Sequence, residues 1–138
     1  MNIYFSCSIT GGRSDEEVYQ VLVNELLRKG HIVPTAHLSS PDVMELEKVT
    51  DPEEIFVRDM GWLQACDAIV AEVSTPSHGV GYEIAMGLTL GKPVLCCFMK
   101  GRSVSKIITG NTAKNLFVRE YANNGEAIVC LDDFLHTI

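Results

Sequence analysis

Apolar residues in this chain fall into short continuous runs separated by longer amphipathic stretches. Residues 2 to 8 read as a short buried strand ending in a turn at Gly11-Gly12. Ser14 then opens a helix, because Ser-Asp-Glu-Glu is a capping-box pattern with Glu17 as its acid. Val18, Val21, Leu22, Leu26 and Leu27 give that helix its apolar stripe, and Gly30 follows its last turn. A second strand is expected over 31–36, then an irregular polar loop over 38–49 with room for helical turns. Thr50 and Glu53 form another capping-box pattern, with Pro52 tolerated in the first turn of a helix reaching about Ala65. "DAIVAEV" (67–73) is a third strand, followed by the turn-rich "STPSHG". A helix over 79–90 stops at Gly91, and Pro93 opens a fourth strand, "PVLCCFM". The loop over 100–111 has room for one short helix, and 116–121 is a fifth strand. The closing segment 124–137 reads as a helix, with "AIVCL" leaving a strand open as the alternative.

Strands alternating with helices imply an α/β fold: one domain over residues 1–138, with a doubly wound, five-stranded parallel sheet of the flavodoxin or Rossmann-like kind. Right-handed crossovers favour the strand order 2-1-3-4-5. At 138 residues and 46% hydrophobic, the chain can bury one substantial core. A net charge of −7 argues against a general nucleic-acid or membrane-surface binder. No apolar run reaches the ~18 residues of a membrane span, and the start of the chain has no basic segment of a signal peptide. Five scattered cysteines without CxxC or Cys/His ligand spacing fit a reduced, cytoplasmic protein and give no metal site.

The expected strand order places a topological switch between the first and third strands, where open α/β sheets bind ligands. The loops meeting there, "SCSITGGRS" and "STPSHGVG", are rich in Gly, Ser and Thr. Small residues let backbone N–H groups approach an anion, and a helix N-terminus adds a favourable dipole. Ser8, Gly11, Gly12, Ser77 and Gly79 therefore make a candidate phosphate cradle, with Arg13 available for a charge-assisted bond. Tight turns alone would also explain these residues. Glu83 lies one turn into the following helix, between Met86, Gly87 and Leu90. Burial raises a carboxyl pKa there and the helix start lowers it, a balance that suits a nucleophile. A solvated Glu complementing the dipole is the plain alternative. Asp59 falls inside the stripe of Ile55, Trp62 and Cys66 on the preceding helix. It is either paired with a buried donor or turned toward the same crevice as Glu83. Two carboxylates beside a phosphate cradle point to glycosidic chemistry, one attacking the anomeric carbon and the other handling protons at the leaving group.

Three stretches carry a resemblance: "IYFSCSITGGR", "RDMGWLQACDAIVAEVSTPSHGVGYEIAMG" and "GRSVSKIITG". In these the chain resembles the 2′-deoxynucleoside 5′-phosphate N-hydrolases of the Rcl type, relatives of the nucleoside 2-deoxyribosyltransferases, over nearly its whole length. The resemblance implies a hydrolase acting on nucleoside 5′-monophosphates without cofactor or metal. It implies Glu83 as catalytic glutamate, Asp59 as the helix aspartate, and Tyr4 as the residue touching the sugar and orienting the glutamate. Phosphate positions fall on Ser8, Gly11, Gly12, Ser77 and Gly79, and on Ser105 supplied by a neighbouring subunit, which implies a homodimer. Thr10 stands where mammalian-type sequences carry Arg, leaving Arg13 and Arg102 as compensating cations. Related alternatives are a deoxyribosyltransferase or a pyrimidine ribonucleotide N-glycosidase; a non-catalytic nucleotide sensor is the alternative from another class. Trp62 reads as a core anchor, His78 as a solvated loop residue, Cys7 as buried and inert, and Asp132-Asp133 as a solvated face.

Overall fold

A computed structural model describes the backbone of residues 1–138 and the side chains of all but residues 46 and 47. The chain runs β1 (Ile3–Ser6), α1 (Glu16–Arg28), a 3-10 turn (Ala36–Ser39), α2 (Val43–Val49), α3 (Pro52–Ala65) and β2 (Ala68–Glu72). It continues with α4 (His78–Thr89), β3 (Val94–Met99), α5 (Lys106–Thr109), β4 (Leu116–Tyr121) and α6 (Asn124–Thr137). The sheet is parallel throughout, in the order β1-β2-β3-β4.

Four strands form where five were expected. Segment 31–36 does lie beside β1 on its outer edge, but it makes a single parallel bridge, Asn2 with Ile32. Ile3 N–H donates to the Ile32 carbonyl at 2.8 Å and Ile32 N–H to Met1 at 2.9 Å. Pro34 comes two residues later and has no N–H to extend a ladder. The chain turns instead into the 3-10 segment, and the next donor of β1, Phe5 N–H, is satisfied by the Thr35 hydroxyl at 2.9 Å. A side chain thus takes the place of the missing strand.

Strand alternation divides the core in two. Ile3, Phe5, Val70, Leu95 and Cys97 face α1 and α6, which bury Leu22, Leu26, Leu131 and Phe134 against them. Tyr4, Ile69, Ala71, Val94 and Cys96 face α3 and α4, which contribute Leu63, Val80 and Ile84. The α1 stripe is rotated from the expected one. Tyr19 and Val23 are buried in it, whereas Leu27 is exposed.

Helix starts also differ. The Ser14–Glu17 capping box does not form: α1 begins at Glu16, and Asp15 occupies the cap position without a side-chain bond to the helix backbone. Its carboxylate instead accepts from Thr75 Oγ1 at 2.7 Å and Arg102 Nη2 at 2.9 Å. For α3 the cap is Asp51, which accepts from Glu53 N–H at 2.9 Å, one residue beyond the expected Thr50. The closing segment is a helix. Asn123 caps it, and Ala127, Leu131 and Phe134 recur at helical spacing to meet the core.

Glu72, the last residue of β2, is fully buried on the α1/α6 side. Burial pushes its carboxyl up to about 7, against the opposing pull of hydroxyl donors from Ser74 and Tyr121. The unfolded chain ionises near the ordinary glutamate value. Its stabilising contribution is therefore full below about pH 4.5 and is lost as pH rises through about 7. The change is on the order of 3 kcal/mol. Glu72→Gln removes that ionisation. The melting temperature of the variant relative to the parent is expected to climb steadily between pH 4.5 and 7; a constant offset across that range contradicts the assignment.

Candidate active site

Tyr4 and Ser6 lie two residues apart on β1, so both project from the α3/α4 face. Glu83 comes down onto them from the second turn of α4. Tyr4 Oη donates to Glu83 Oε1 at 2.7 Å, and Ser6 Oγ donates to Glu83 Oε2. Each carboxylate oxygen is held by its own hydroxyl, which fixes the plane of the group. Burial pushes the Glu83 carboxyl above its usual range, both hydroxyls pull it back, and the charge of Asp59 raises it again. Burial and the adjacent Glu83 drive the Tyr4 phenol far above its ordinary value, so it stays a neutral donor.

Asp59 sits on α3 with 14% of its side chain exposed and accepts from Arg58 Nε at 2.8 Å. Both alternatives open for it in the sequence have a counterpart here: it is paired, and its charge also reaches Glu83 and Tyr4. The Arg58 guanidinium lies 5.0 Å above the Trp62 ring, and His37 meets that ring edge-on at 5.9 Å. Trp62 is half-buried and packs against the α3/α4 core.

The two small-residue loops meet beside this group. A cleft of about 200 Å³ opens between them, lined by Thr10, Gly11, Pro76, Ser77 and His78. Close approach explains Gly11: a methyl group there would collide with the Pro76 carbonyl and lie 2.8 Å from Ser8 Oγ. Gly12 has φ of +130°, a conformation that side chains disfavour. Ser8 is fully buried, and its hydroxyl has no hydrogen-bond partner among the described residues. Ser77 caps α4, accepting from Val80 N–H at a long 3.4 Å, and Gly79 follows in the first turn.

The remaining sequence candidates lie elsewhere. Arg13 does not line the cleft, although its guanidinium reaches the Ser8 carbonyl at 3.5 Å. Its guanidinium donates to the carbonyls of Leu38 at 2.7 Å and Ser40 at 2.8 Å, pairs with Glu16 at 3.2 Å and lies over the Tyr19 ring. It pins the 3-10 segment against α1. Arg102 is turned to Asp15. Ser105 caps the short α5 and lines a larger groove of about 480 Å³ on the flank of α4, together with Ser77, Ile84 and Ile108.

Sequence reasoning missed Ser6, although its position two residues after Tyr4 places it on the same strand face. It also passed over Glu72, whose signal was a charge within the apolar "DAIVAEV". Among the described residues, no group of three or more His, Cys, Asp or Glu side chains could hold a metal ion, and no helix is long and apolar enough to cross a membrane.

Fold and site together define a parallel α/β protein with a half-buried, doubly held carboxylate and a small cleft between the loops that follow β1 and β2. The chain belongs to the nucleoside 2-deoxyribosyltransferase family, which it matches over residues 3–131. It is 38% identical to the 5-hydroxymethyl-dUMP N-hydrolase of Danio rerio, over 100% of this chain and 98% of that one. It is 39% identical to the enzyme of the same name from Rattus norvegicus, over 96% and 83%. Its fold is similar to that of the CMP N-glycosidase BcmB of Clostridium botulinum, with a TM-score of 0.73 over 96% of this chain and 98% of that one, at 20% identity.

Proposed function

We propose that the protein hydrolyses the N-glycosidic bond of 2′-deoxynucleoside 5′-monophosphates, releasing free base and 2-deoxyribose 5-phosphate. The observation that carries this reading is the half-buried Glu83 carboxylate, with one oxygen held by Tyr4 and the other by Ser6. A carboxylate so fixed is preorganised for attack and poorly solvated, as a nucleophile at an anomeric carbon needs to be. Relatives named 5-hydroxymethyl-dUMP N-hydrolases support a nucleotide as the substrate.

A Glu83 oxygen bonds to C1′ as the C1′–N bond breaks, and the base departs with the bonding pair. Asp59 serves the proton required by the departing base. Water then attacks C1′, the ester oxygen of Glu83 leaves as carboxylate, and the proton of the water goes to Asp59, replacing the one given to the base. Tyr4 and Ser6 hold the carboxylate before attack and again once it is regenerated. The 5′-phosphate sits between the loops, with Ser8, Gly11, Gly12, Ser77 and Gly79 as its cradle. Ser8 supplies an otherwise unpartnered hydroxyl and the start of α4 a favourable dipole. Binding energy from the phosphate positions the reacting bond.

Ser105 completes the cradle of a second copy in a homodimer; it is exposed on α5 beside the apolar groove flanking α4. The five free cysteines fit a reducing, cytoplasmic setting. The test is a panel of dGMP, dCMP, 5-hydroxymethyl-dUMP, CMP and deoxyguanosine, each with and without free adenine, followed by mass spectrometry. Free base and 2-deoxyribose 5-phosphate are expected from the deoxynucleotides, with no sugar passed to adenine. Transfer to adenine in preference to water, or no base release from any deoxynucleotide, overturns the reading.

A further inference from the structure

Two buried acids lie beneath the cleft and take no part in the chemistry above. Glu72 is fully buried at the end of β2, on the opposite face of the sheet from Glu83. Its Oε1 accepts from Tyr121 Oη at 2.8 Å and from Ser74 Oγ, and both of its oxygens accept from Ser74 N–H at 3.3 Å. Ser74 Oγ also accepts from Met99 N–H at 2.7 Å, at the end of β3. The next residue, Thr75, donates its hydroxyl to Asp15 at 2.7 Å, and Asp15 is 5% exposed at the start of α1. Consecutive hydroxyls of the β2–α4 loop are therefore each anchored to a buried acid from a different element.

Anchoring matters here because the loop has no slack. Pro76 presses its carbonyl against Gly11 so closely that no side chain fits between them. Ser77 follows directly and carries the start of α4. Ser74 stands two residues before Pro76 and three before Ser77, so its position sets where that wall of the cleft lies. The geometry points to Glu72 as the positioning residue of the phosphate loop: by holding Ser74 from below, it sets affinity for the 5′-phosphate without touching substrate. This rests on the reading of the two loops as the phosphate cradle.

Glu72→Gln tests it. An amide places a donor where the structure has an acceptor. Turned with its oxygen at the Oε1 position, it keeps both hydroxyls but sets its NH2 against Ser74 N–H, which gives up one of its two acceptors; turned the other way, the hydroxyls of Ser74 and Tyr121 lose theirs. The loss of one buried hydrogen bond scales to about a tenfold change in an equilibrium constant. KM for dGMP is expected to rise about tenfold with kcat within threefold. The dissociation constant of inorganic phosphate, measured by calorimetry, should rise by the same factor. Tyr121→Phe removes one donor from the same carboxylate and is expected to raise both quantities two- to fivefold, which decides the matter should the glutamine variant fail to fold. A fall in kcat with KM and phosphate binding unchanged, in a variant that melts normally, overturns the proposal. Failure of the parent protein to hydrolyse nucleotides would overturn the assigned reaction instead, and the phosphate titration would still judge Glu72.

Discussion

Glu83→Gln is expected to abolish base release, lowering kcat by ~10³-fold or more, the scale on which enzymes lose turnover with their nucleophile. The amide keeps the shape of the side chain and one acceptor for the Tyr4 and Ser6 hydroxyls, so the architecture around it persists. It removes a carboxyl that burial already disfavours in its ionised form, so the melting temperature at neutral pH should hold or rise. Loss of activity without loss of stability separates a reacting group from a supporting one. Quenched-flow mass spectrometry provides a second readout: the parent should show a deoxyribosyl phosphate adduct on the peptide containing Glu83, and the variant none. Turnover within tenfold of the parent would remove Glu83 from the reaction.

The second large effect is expected at Asp59. Asp59→Asn should lower kcat by ~10²-fold or more, the range typical of a lost general acid or base. The substitution acts on Glu83 as well. Asp59 raises the Glu83 carboxyl through its charge, so a neutral asparagine lets Glu83 ionise at lower pH. Because the ionised form attacks, the acidic limb of the kcat/KM profile should move to lower pH in the variant. Deoxynucleotides whose bases leave poorly should suffer most, since they depend most on proton assistance. Unchanged turnover, or an acidic limb displaced to higher pH, contradicts the role. A variant that merely disturbed packing would lower activity without moving the limb.

Much of this site could be read along the chain because its parts obey local periodicities. Glu83 and Asp59 stood out as charges on apolar helical stripes, and each proved to be shielded and held. Two loops of small residues marked the ends of β1 and β2, and they meet where the topology of a parallel sheet brings them together. Tyr4 was reached only through the family resemblance, and Ser6, two residues further along the same strand face, was not reached at all.

Where local pattern failed, a distant partner had outcompeted a near one. Ser-Asp-Glu-Glu predicts a capping box, yet Asp15 is drawn to Thr75 and Arg102, 60 and 87 positions away. Arg13 looked free to meet a phosphate, but two carbonyls of the 3-10 segment and Glu16 hold its guanidinium. Segment 31–36 has the composition of a strand and lies where a strand belongs. Pro34 interrupts the ladder, and the Thr35 hydroxyl satisfies β1 in its place.

The sequence by itself determined the parallel α/β class and four of its five expected strands, and it marked Glu83 and Asp59 as charges on apolar helix faces, since each follows from spacing along a few turns or one strand. Tertiary structure alone decided that Glu72 lies under the loop and that Ser6 shares Glu83 with Tyr4. It also decided that β1 ends the ladder against a side chain. Those outcomes depend on which donors and acceptors meet after burial, when every polar group must find a partner, and that competition runs between segments far apart in the chain.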